Sequence, residues 1–366
     1  MSKTSISCWM TLVADRGIAA FYPGKQRSTP ALWFLPAFLF FLVGCSEPGA
    51  VKLLGSTMGT SYSVVIPLLP EDTSQQAIQE RIESLLEGIN RQMSTYLPDS
   101  ELSRINQSEA RVWLEVSPEL LEIIRQAISI SQQTNAAFDI TVGPLVNLWG
   151  FGPRQGLPTS RPTDEAVESA RGLVGYQHIE LDIENRRIRK PFKDLYIDLS
   201  AIAKGYGVDA IANYLDSLGI RGYLVEIGGE LRGKGLSPRG DSWRVAVERP
   251  ESGQRQVHKV LNVSDIAIAT SGDYRNFYEY DGVRFSHTID PRTGMPVTHS
   301  LASVTVLSEQ ALIADAWATA LMVLGEQKGF ELAEEKGVAA YFLYQQGDEF
   351  LSLETTTFKR LANDSE

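Results

Sequence analysis

Asp315 and Thr319 stand four residues apart in an otherwise apolar run, Ala311-Leu-Ile-Ala-Asp-Ala-Trp-Ala-Thr-Ala320. On a helix that spacing puts a carboxylate and a hydroxyl on one face. Two hard oxygens side by side suit Mg2+ rather than zinc. The spacing equally fits a buried aspartate satisfied by a local hydrogen bond, and in either case something must compensate its charge. A second reactive set lies in Tyr196-Ile-Asp-Leu-Ser-Ala-Ile-Ala-Lys-Gly-Tyr-Gly-Val-Asp209, where Asp198 and Lys204 flank small residues. Small residues admit a ligand close to the backbone, and a helix start offers free N–H groups to anions. An ordinary tight turn with a surface ion pair has the same composition. Of the four histidines (His178, His258, His287 and His299), His287 adjoins a turn-rich loop and is the best candidate for a base. An isolated histidine is also commonly structural.

Other motifs fail on spacing. Gly228-Gly-Glu-Leu-Arg-Gly-Lys-Gly235 imitates a P-loop up to the lysine, but Gly235 stands where a Ser or Thr must meet Mg2+, and a strand follows instead of a helix. Ser200 and Lys204 are four apart, not the three of a penicillin-binding-type nucleophile, and the remaining motifs of that class are absent apart from a loose echo at Arg292-Thr-Gly294. No HExxH zinc site is present.

The elements that must position these residues follow from periodicity. Val208, Ile211, Ala212, Leu215 and Leu218 recur at helical steps, whereas residues 196–199 alternate like a short strand. Lys204 therefore sits at a strand-to-helix junction. Residues 73–93 form an amphipathic helix. Ser117-Pro118 opens another that runs to about Thr134, and residues 163–171 make a short one ending at Gly172. Residues 136–153 read as a structured loop, 178–190 as a hairpin turning at Glu184-Asn185, and 47–52 as a tether. Strands are expected up to Ile66 and over 223–227, 243–248, 257–263, 266–269, 301–307, 338–344 and 350–353. Ser308 is expected to cap a helix reaching about Leu324, with another over 326–336. Strands and helices mix without regular alternation, which gives an α+β class.

The chain has 366 residues, 43% hydrophobic and 22% charged, enough for a large core. Its net charge of −11 and lack of a dense Lys/Arg run argue against nucleic-acid binding. Lys3, Arg16, Lys25 and Arg27 precede an apolar run over 31–43 that is too short to span a bilayer and ends Leu-Val-Gly-Cys45. Small residues before a cysteine resemble a bacterial lipobox. That reading implies a signal peptide over 1–44 and a lipidated tether from Cys45 to residue 52; a plain signal peptide or an uncleaved anchor are the alternatives. Cys8 and Cys45 are the only cysteines, so cleavage before Cys45 leaves no disulfide framework and no thiolate cluster.

Eight motifs in order are similar to those of the ApbE family of FAD:protein FMN transferases. They are Ser56-Thr-Met-Gly-Thr60, Met93-Ser-Thr-Tyr96, Phe138-Asp-Ile-Thr-Val-Gly-Pro144, Asp198-Leu-Ser-Ala-Ile-Ala-Lys-Gly205, Ile227-Gly-Gly-Glu230, Thr270-Ser-Gly-Asp-Tyr-Arg275, His287-Thr-Ile-Asp-Pro-Arg-Thr-Gly294 and Ala314-Asp-Ala-Trp-Ala-Thr319. The resemblance implies a single domain over 53–360, with a mixed, largely antiparallel sheet and packed helices. It implies Mg2+-dependent transfer of the FMN half of FAD to a threonine or serine hydroxyl of an acceptor protein, with release of AMP. The acceptors it implies are flavosubunits of the sodium-translocating NADH:quinone reductase and of Rnf-type complexes. By position, it implies flavin-end contacts from Met58 and Tyr96. The rest of the FAD site would be Ala137, Phe138, Asp139, Asp198, Lys204 and the Ile289 backbone. The metal ligands would be the Ala201 carbonyl, Asp315 and Thr319. Some members carry a second acid before that threonine; here it is Ala318. With the lipobox, the expected location is the periplasmic side of the inner membrane. An FAD pyrophosphatase and a non-catalytic flavin-binding lipoprotein are the competing readings.

Overall fold

The computed structural model describes residues 49–152, 160–249, 256–272, 277–280 and 283–363. The segment read as a signal peptide, Cys45 and the motif residues Asp273, Tyr274 and Arg275 lie outside them. One eight-stranded sheet carries the fold. Its strands are β1 (Val51–Thr57), β2 (Thr60–Ile66), β3 (Tyr223–Ile227), β4 (Glu230–Lys234), β5 (Ile266–Gly272), β6 (Leu301–Ser308), β7 (Ala339–Gln346) and β8 (Glu349–Glu354). They lie side by side in chain order, and every neighbouring pair is antiparallel. The expected α+β class stands, and the main sheet is antiparallel throughout.

Insertions between these strands supply the helices α1 (Gln75–Met93), α2 (Glu101–Gln107), α3 (Pro118–Gln133), α4 (Gly143–Leu148), α5 (Asp164–Arg171), α6 (Ala203–Ser217) and α7 (Ala311–Lys336), and α8 (Thr356–Asn363) follows the last strand. Alternation along the strands assigns the faces. Ala267 and Ala269 of β5 pack with the helices α1, α3, α6 and α7, while Ile268 between them packs with the hairpin Trp243–Glu248/Val257–Val263 and with Phe358 of α8. A separate small core gathers Leu145, Trp149, Val167, Phe285 and Ile289.

Local chemistry explains several helix starts. Ser74, Ser100, Ser117 and Thr163 each accept an N–H from the first turn of α1, α2, α3 and α5. Such caps stabilise a helix by about 1 kcal/mol each. The first half of α7, up to Gly325, is buried nearly all round because it lies between the sheet and α6. The helix breaks at Gly325 (φ 79°, ψ 177°), close to the expected division at Leu324; a Cβ there would meet the His299 ring at 2.7 Å.

Several expectations are corrected. Residues 196–199 form no strand: the Asp198 N–H donates to the Ile140 carbonyl at 2.7 Å, and the Asn106 side chain takes both backbone groups of Ile197. The segment is held by side chains and a loop rather than by a ladder. β1 begins at Val51, inside the stretch read as tether. The stretch 136–153 contains α4. Ser308 does not cap α7; its hydroxyl takes only the Gln310 N–H, and the cap comes from Asp209 of α6. Leu218 ends α6 at 36% exposure instead of continuing its buried face. α2 and α8 were not expected.

Candidate functional site at the contact of two helices

The start of α6 has no side-chain cap, because Ile202 occupies the N-cap position. Its partial positive charge faces α7, which takes the Gly205 N–H. Gly205 makes the approach possible: a Cβ there would lie 2.3 Å from the Ala311 carbonyl oxygen. Asp315 of α7 fills the gap, its Oδ2 accepting the Gly205 N–H at 3.0 Å. Lys204 Nζ stands 3.6 Å from Asp315 Oδ1 and 2.7 Å from Glu230 Oε1. The two carboxylates are almost wholly buried, while the Lys204 side chain is 29% exposed. Burial pushes both carboxyl pKa values up, Glu230 to about 8; Lys204 opposes the shift, and the nearby Asp315 adds to that of Glu230. Two buried acids thus share one ammonium, and Glu230 Oε2 has no hydrogen-bond partner. With both acids ionised, the cluster carries one uncompensated negative charge.

Glycines shape the rest of this corner. Gly228 (φ 58°) leads the turn between β3 and β4, where a Cβ would lie 2.8 Å from Thr60 Cγ2 and 3.4 Å from Lys204 Cδ. The Gly229 N–H donates to Glu226 Oε1 at 2.8 Å. Met58 and Gly59 join β1 to β2 as a two-residue hairpin with positive φ at both positions (50° and 74°). That turn brings Met58 over α6, since a Cβ on Gly207 would sit 3.2 Å from Met58 Cε. Met58, Lys204, Thr60 and Asp315 therefore gather at one end of α6.

Tyr96, 72% exposed, follows α1. Partial burial and the charge of Asp198 raise its hydroxyl pKa, so these two lie near each other. Asp198 accepts the Ser200 N–H (2.8 Å) and hydroxyl (2.6 Å). Asp139 is buried and accepts the Thr141 N–H, the Thr141 hydroxyl and the Tyr176 N–H at 2.6–2.9 Å. It also lines a cleft of about 350 Å³ with Ala136, Arg171, Gly175, Pro291 and Arg292. Ala137 and Phe138 are buried, and Phe138 belongs to the main core, so a ligand at this stretch would meet backbone more than side chain. Trp149 joins this stretch to the next motif. Its indole donates to the Gly294 carbonyl at 2.9 Å, and its ring stacks on Phe285.

Ile289 is buried in a short strand, Ile289–Asp290, that lies beside α7. His287 is half-buried and edge-on to Phe151. Thr319 is half-buried one turn beyond Asp315, and Ala201 is half-buried in the turn entering α6. The fold thus unites Lys204 with Asp315 and binds the Asp198 segment to the 138–144 stretch through Ile140. Lys234 of the P-loop-like stretch points elsewhere, pairing with Asp216 at 2.8 Å.

Four residues with roles here escaped the sequence reading. Glu230 lay at the end of a quoted motif, and an acid beside two glycines in an apolar strand was its only signal. Asp209 caps α7 from another helix. Asn106 and the fully buried Lys190, whose ammonium donates to the carbonyls of Asn106, Lys193 and Leu195, fix the approach to Asp198. Burial lowers the Lys190 pKa to about 8.

Comparison with known proteins identifies the family. The ApbE family model matches residues 58–342. An FAD:protein FMN transferase of Vibrio cholerae is 46% identical over 324 residues, spanning 88% of this chain and 96% of that protein. One from Escherichia coli K12 is 40% identical over 336 residues, spanning 89% and 95%. Among solved structures, a flavin transferase ApbE from Vibrio cholerae matches with a TM-score of 0.79 at 45% identity, covering 85% of this chain and 98% of that one. The apo flavinyl transferase ApbE of Pseudomonas stutzeri matches with a TM-score of 0.79 at 38% identity, covering 86% and 96%. With the family model matching most of its length and relatives of this identity and coverage, the chain belongs to the ApbE family.

Proposed function

We propose that this chain transfers the FMN moiety of FAD to a threonine or serine hydroxyl of an acceptor flavoprotein, releasing AMP, in a Mg2+-dependent reaction. It is a transferase, as its relatives are. The hydroxyl oxygen forms a bond to the FMN phosphorus, the bridging P–O bond breaks, and its electron pair leaves with AMP. The hydroxyl proton passes to a base, for which His287 is the candidate.

The observation that carries this reading is the cluster of Lys204, Asp315 and Glu230. A diphosphate needs its charge neutralised as it breaks, and an ammonium at the mouth of a helix N-terminus is suited to meet it. The donor set also fits a magnesium ion: two buried acids share one lysine, so the excess negative charge calls for a cation, and Thr319 and the Ala201 carbonyl would add hard oxygens beside Asp315. When bound, such an ion supplies Lewis-acid stabilisation of the phosphoryl oxygens worth several kcal/mol. Met58 and Tyr96 are suited to hold the flavin end, and Asp139, Asp198 and Ile289 the remainder of FAD.

The acceptors we propose are flavosubunits of the sodium-translocating NADH:quinone reductase and of Rnf-type complexes. The apolar run ending at Cys45 supports a lipid anchor on the periplasmic face of the inner membrane, with a short tether leading into β1. Cys45→Ser would then release the protein from membranes or block its processing; unchanged fractionation and cleavage would refute the anchor.

Product analysis tests the reaction. The purified protein is incubated with FAD, Mg2+ and an acceptor subunit, then read by in-gel flavin fluorescence. Flavin covalently on the acceptor supports transfer. Free FMN plus AMP without labelled acceptor would instead mean a pyrophosphatase, and unchanged FAD a binding protein.

A further inference from the structure

Glu230 opens β4 directly after the Gly228-Gly229 turn, in register with Ile227. That pairing puts both side chains on the face of the sheet covered by α6, where Ile227 Cδ1 would lie 3.0 Å from a Cβ on Gly207. The Glu230 side chain is 4% exposed and the Lys204 side chain 29%. The carboxylate therefore meets the ammonium from the interior and leaves the outer side of the lysine toward solvent. Of the two acids near that nitrogen, Glu230 makes the short contact (2.7 Å), whereas Asp315 at 3.6 Å is beyond hydrogen-bond distance. The lysine stem runs along the bare Gly228 backbone. Asp315 is meanwhile occupied by the Gly205 N–H.

We propose that Glu230 is the positioning residue of Lys204, holding its ammonium at the mouth of α6 so that it is in place for the diphosphate of FAD. The inference rests on the proposed reaction for the identity of the ligand. A lysine has a flexible four-carbon stem and loses rotamer freedom when fixed, so a lysine held in advance binds an anion more tightly than one that must be ordered on binding. Glu230 touches neither flavin nor phosphate in this scheme and acts only through Lys204.

A double-mutant cycle on the full chain separates this role from a merely structural one. FAD affinity is measured by calorimetry, with neither acceptor nor added metal, for wild type, Glu230→Gln, Lys204→Met and the double variant, with a melting curve for each. Glu230→Gln should weaken FAD binding about tenfold when Lys204 is present. In the Lys204→Met background the same change should leave affinity unchanged, because no ammonium remains there for Glu230 to hold. Melting temperatures of the two Glu230→Gln proteins should stay within a few degrees of their parents. An equal loss in both backgrounds, or no loss with Lys204 present, overturns the proposal. Should Glu230→Gln fail to fold, Glu230→Asp carries the same comparison: it keeps the charge but withdraws it from the ammonium, and dependence on Lys204 again decides. If wild-type protein does not bind FAD, the proposed reaction falls and this inference with it. If wild type binds and the cycle shows no coupling, only the role of Glu230 falls.

Discussion

Asp209 and Asp315 are both buried acids at the contact of α6 with α7, and burial raises the pKa of each, yet their surroundings differ. Asp209 has its oxygens taken by the Ala311 and Leu312 N–H groups at 3.0 and 2.9 Å and by Arg232 at 3.0 Å. Its charge is answered by a guanidinium and by the positive end of α7, so it acts as a cap supplied by a neighbouring helix. Asp315 has one N–H and a lysine that is closer to Glu230. A saturated acid shapes the fold, whereas an acid left short of positive charge has capacity for a ligand. The two therefore predict opposite consequences for the same chemical change.

The largest effect should come from Asp315→Asn. It removes a charge that already repels Glu230 and keeps the shape, so the protein should melt within a few degrees of wild type. Flavin transfer should fall by about 100-fold or more. Thr319→Val should cost less, about tenfold, because a hydroxyl is the weaker ligand. An Asp315→Asn protein that unfolds, or that transfers flavin at the wild-type rate without added metal, would make this acid structural.

Next in size is the contrast of two lysines. Lys204→Met should weaken FAD binding by about tenfold or more, the loss of a charge-assisted contact. Lys234→Ala should stay within about twofold, since it breaks only the partly exposed pair with Asp216. The reverse order in a calorimetric titration would return the phosphate site to the P-loop-like stretch.

Asp209→Asn should show the converse of Asp315→Asn. Losing the ion pair with Arg232 and one of the two capping acceptors should destabilise the protein by about 2 kcal/mol, lowering the melting temperature by about 4 °C. Transfer per folded molecule should remain near wild type. A large loss of transfer without loss of stability would erase the distinction between the two acids.

How much of this was legible follows the range of the interactions. Helices α3 and α5 announce themselves because Ser117 and Thr163 cap them from the adjacent position. The hairpin turning at residues 183–186 and the break in α7 are equally local. The Asp209 cap is not local: it serves a helix start about a hundred residues away, so the nearby Ser308 received the credit. The alternation at 196–199 misled because Leu195, Ile197 and Leu199 are buried without any strand partner, on contacts from Asn106 and Ile140. Asp315 and Lys204 were each visible as reactive residues in separate motifs. Their meeting, and the third member Glu230, required the fold to bring Gly205 against α7.

A separate effect to test is stability against pH in chelated protein. Burial raises the Glu226 pKa to about 7 and that of Glu230 to about 8, above the ordinary 4.5 that the unfolded chain would show. The native state therefore binds more protons than the unfolded state from about pH 4.5 to 8, and stability falls as pH rises through that window. Melting curves from pH 5 to 9 should show the decline, and Glu226→Gln and Glu230→Gln should each flatten part of it. A melting temperature that rises over this range would contradict the buried, under-compensated state of these acids.

The most direct test of the central claim, that Asp315 rather than its saturated neighbour has capacity for a cation, is a Mg2+ titration by calorimetry in the presence of FAD. Wild type, Asp315→Asn and Asp209→Asn are compared as folded proteins. Wild type and Asp209→Asn should bind Mg2+ with similar affinity, and Asp315→Asn should show no saturable binding over the same range. Undiminished Mg2+ binding by Asp315→Asn, or its loss in Asp209→Asn alone, would contradict the account.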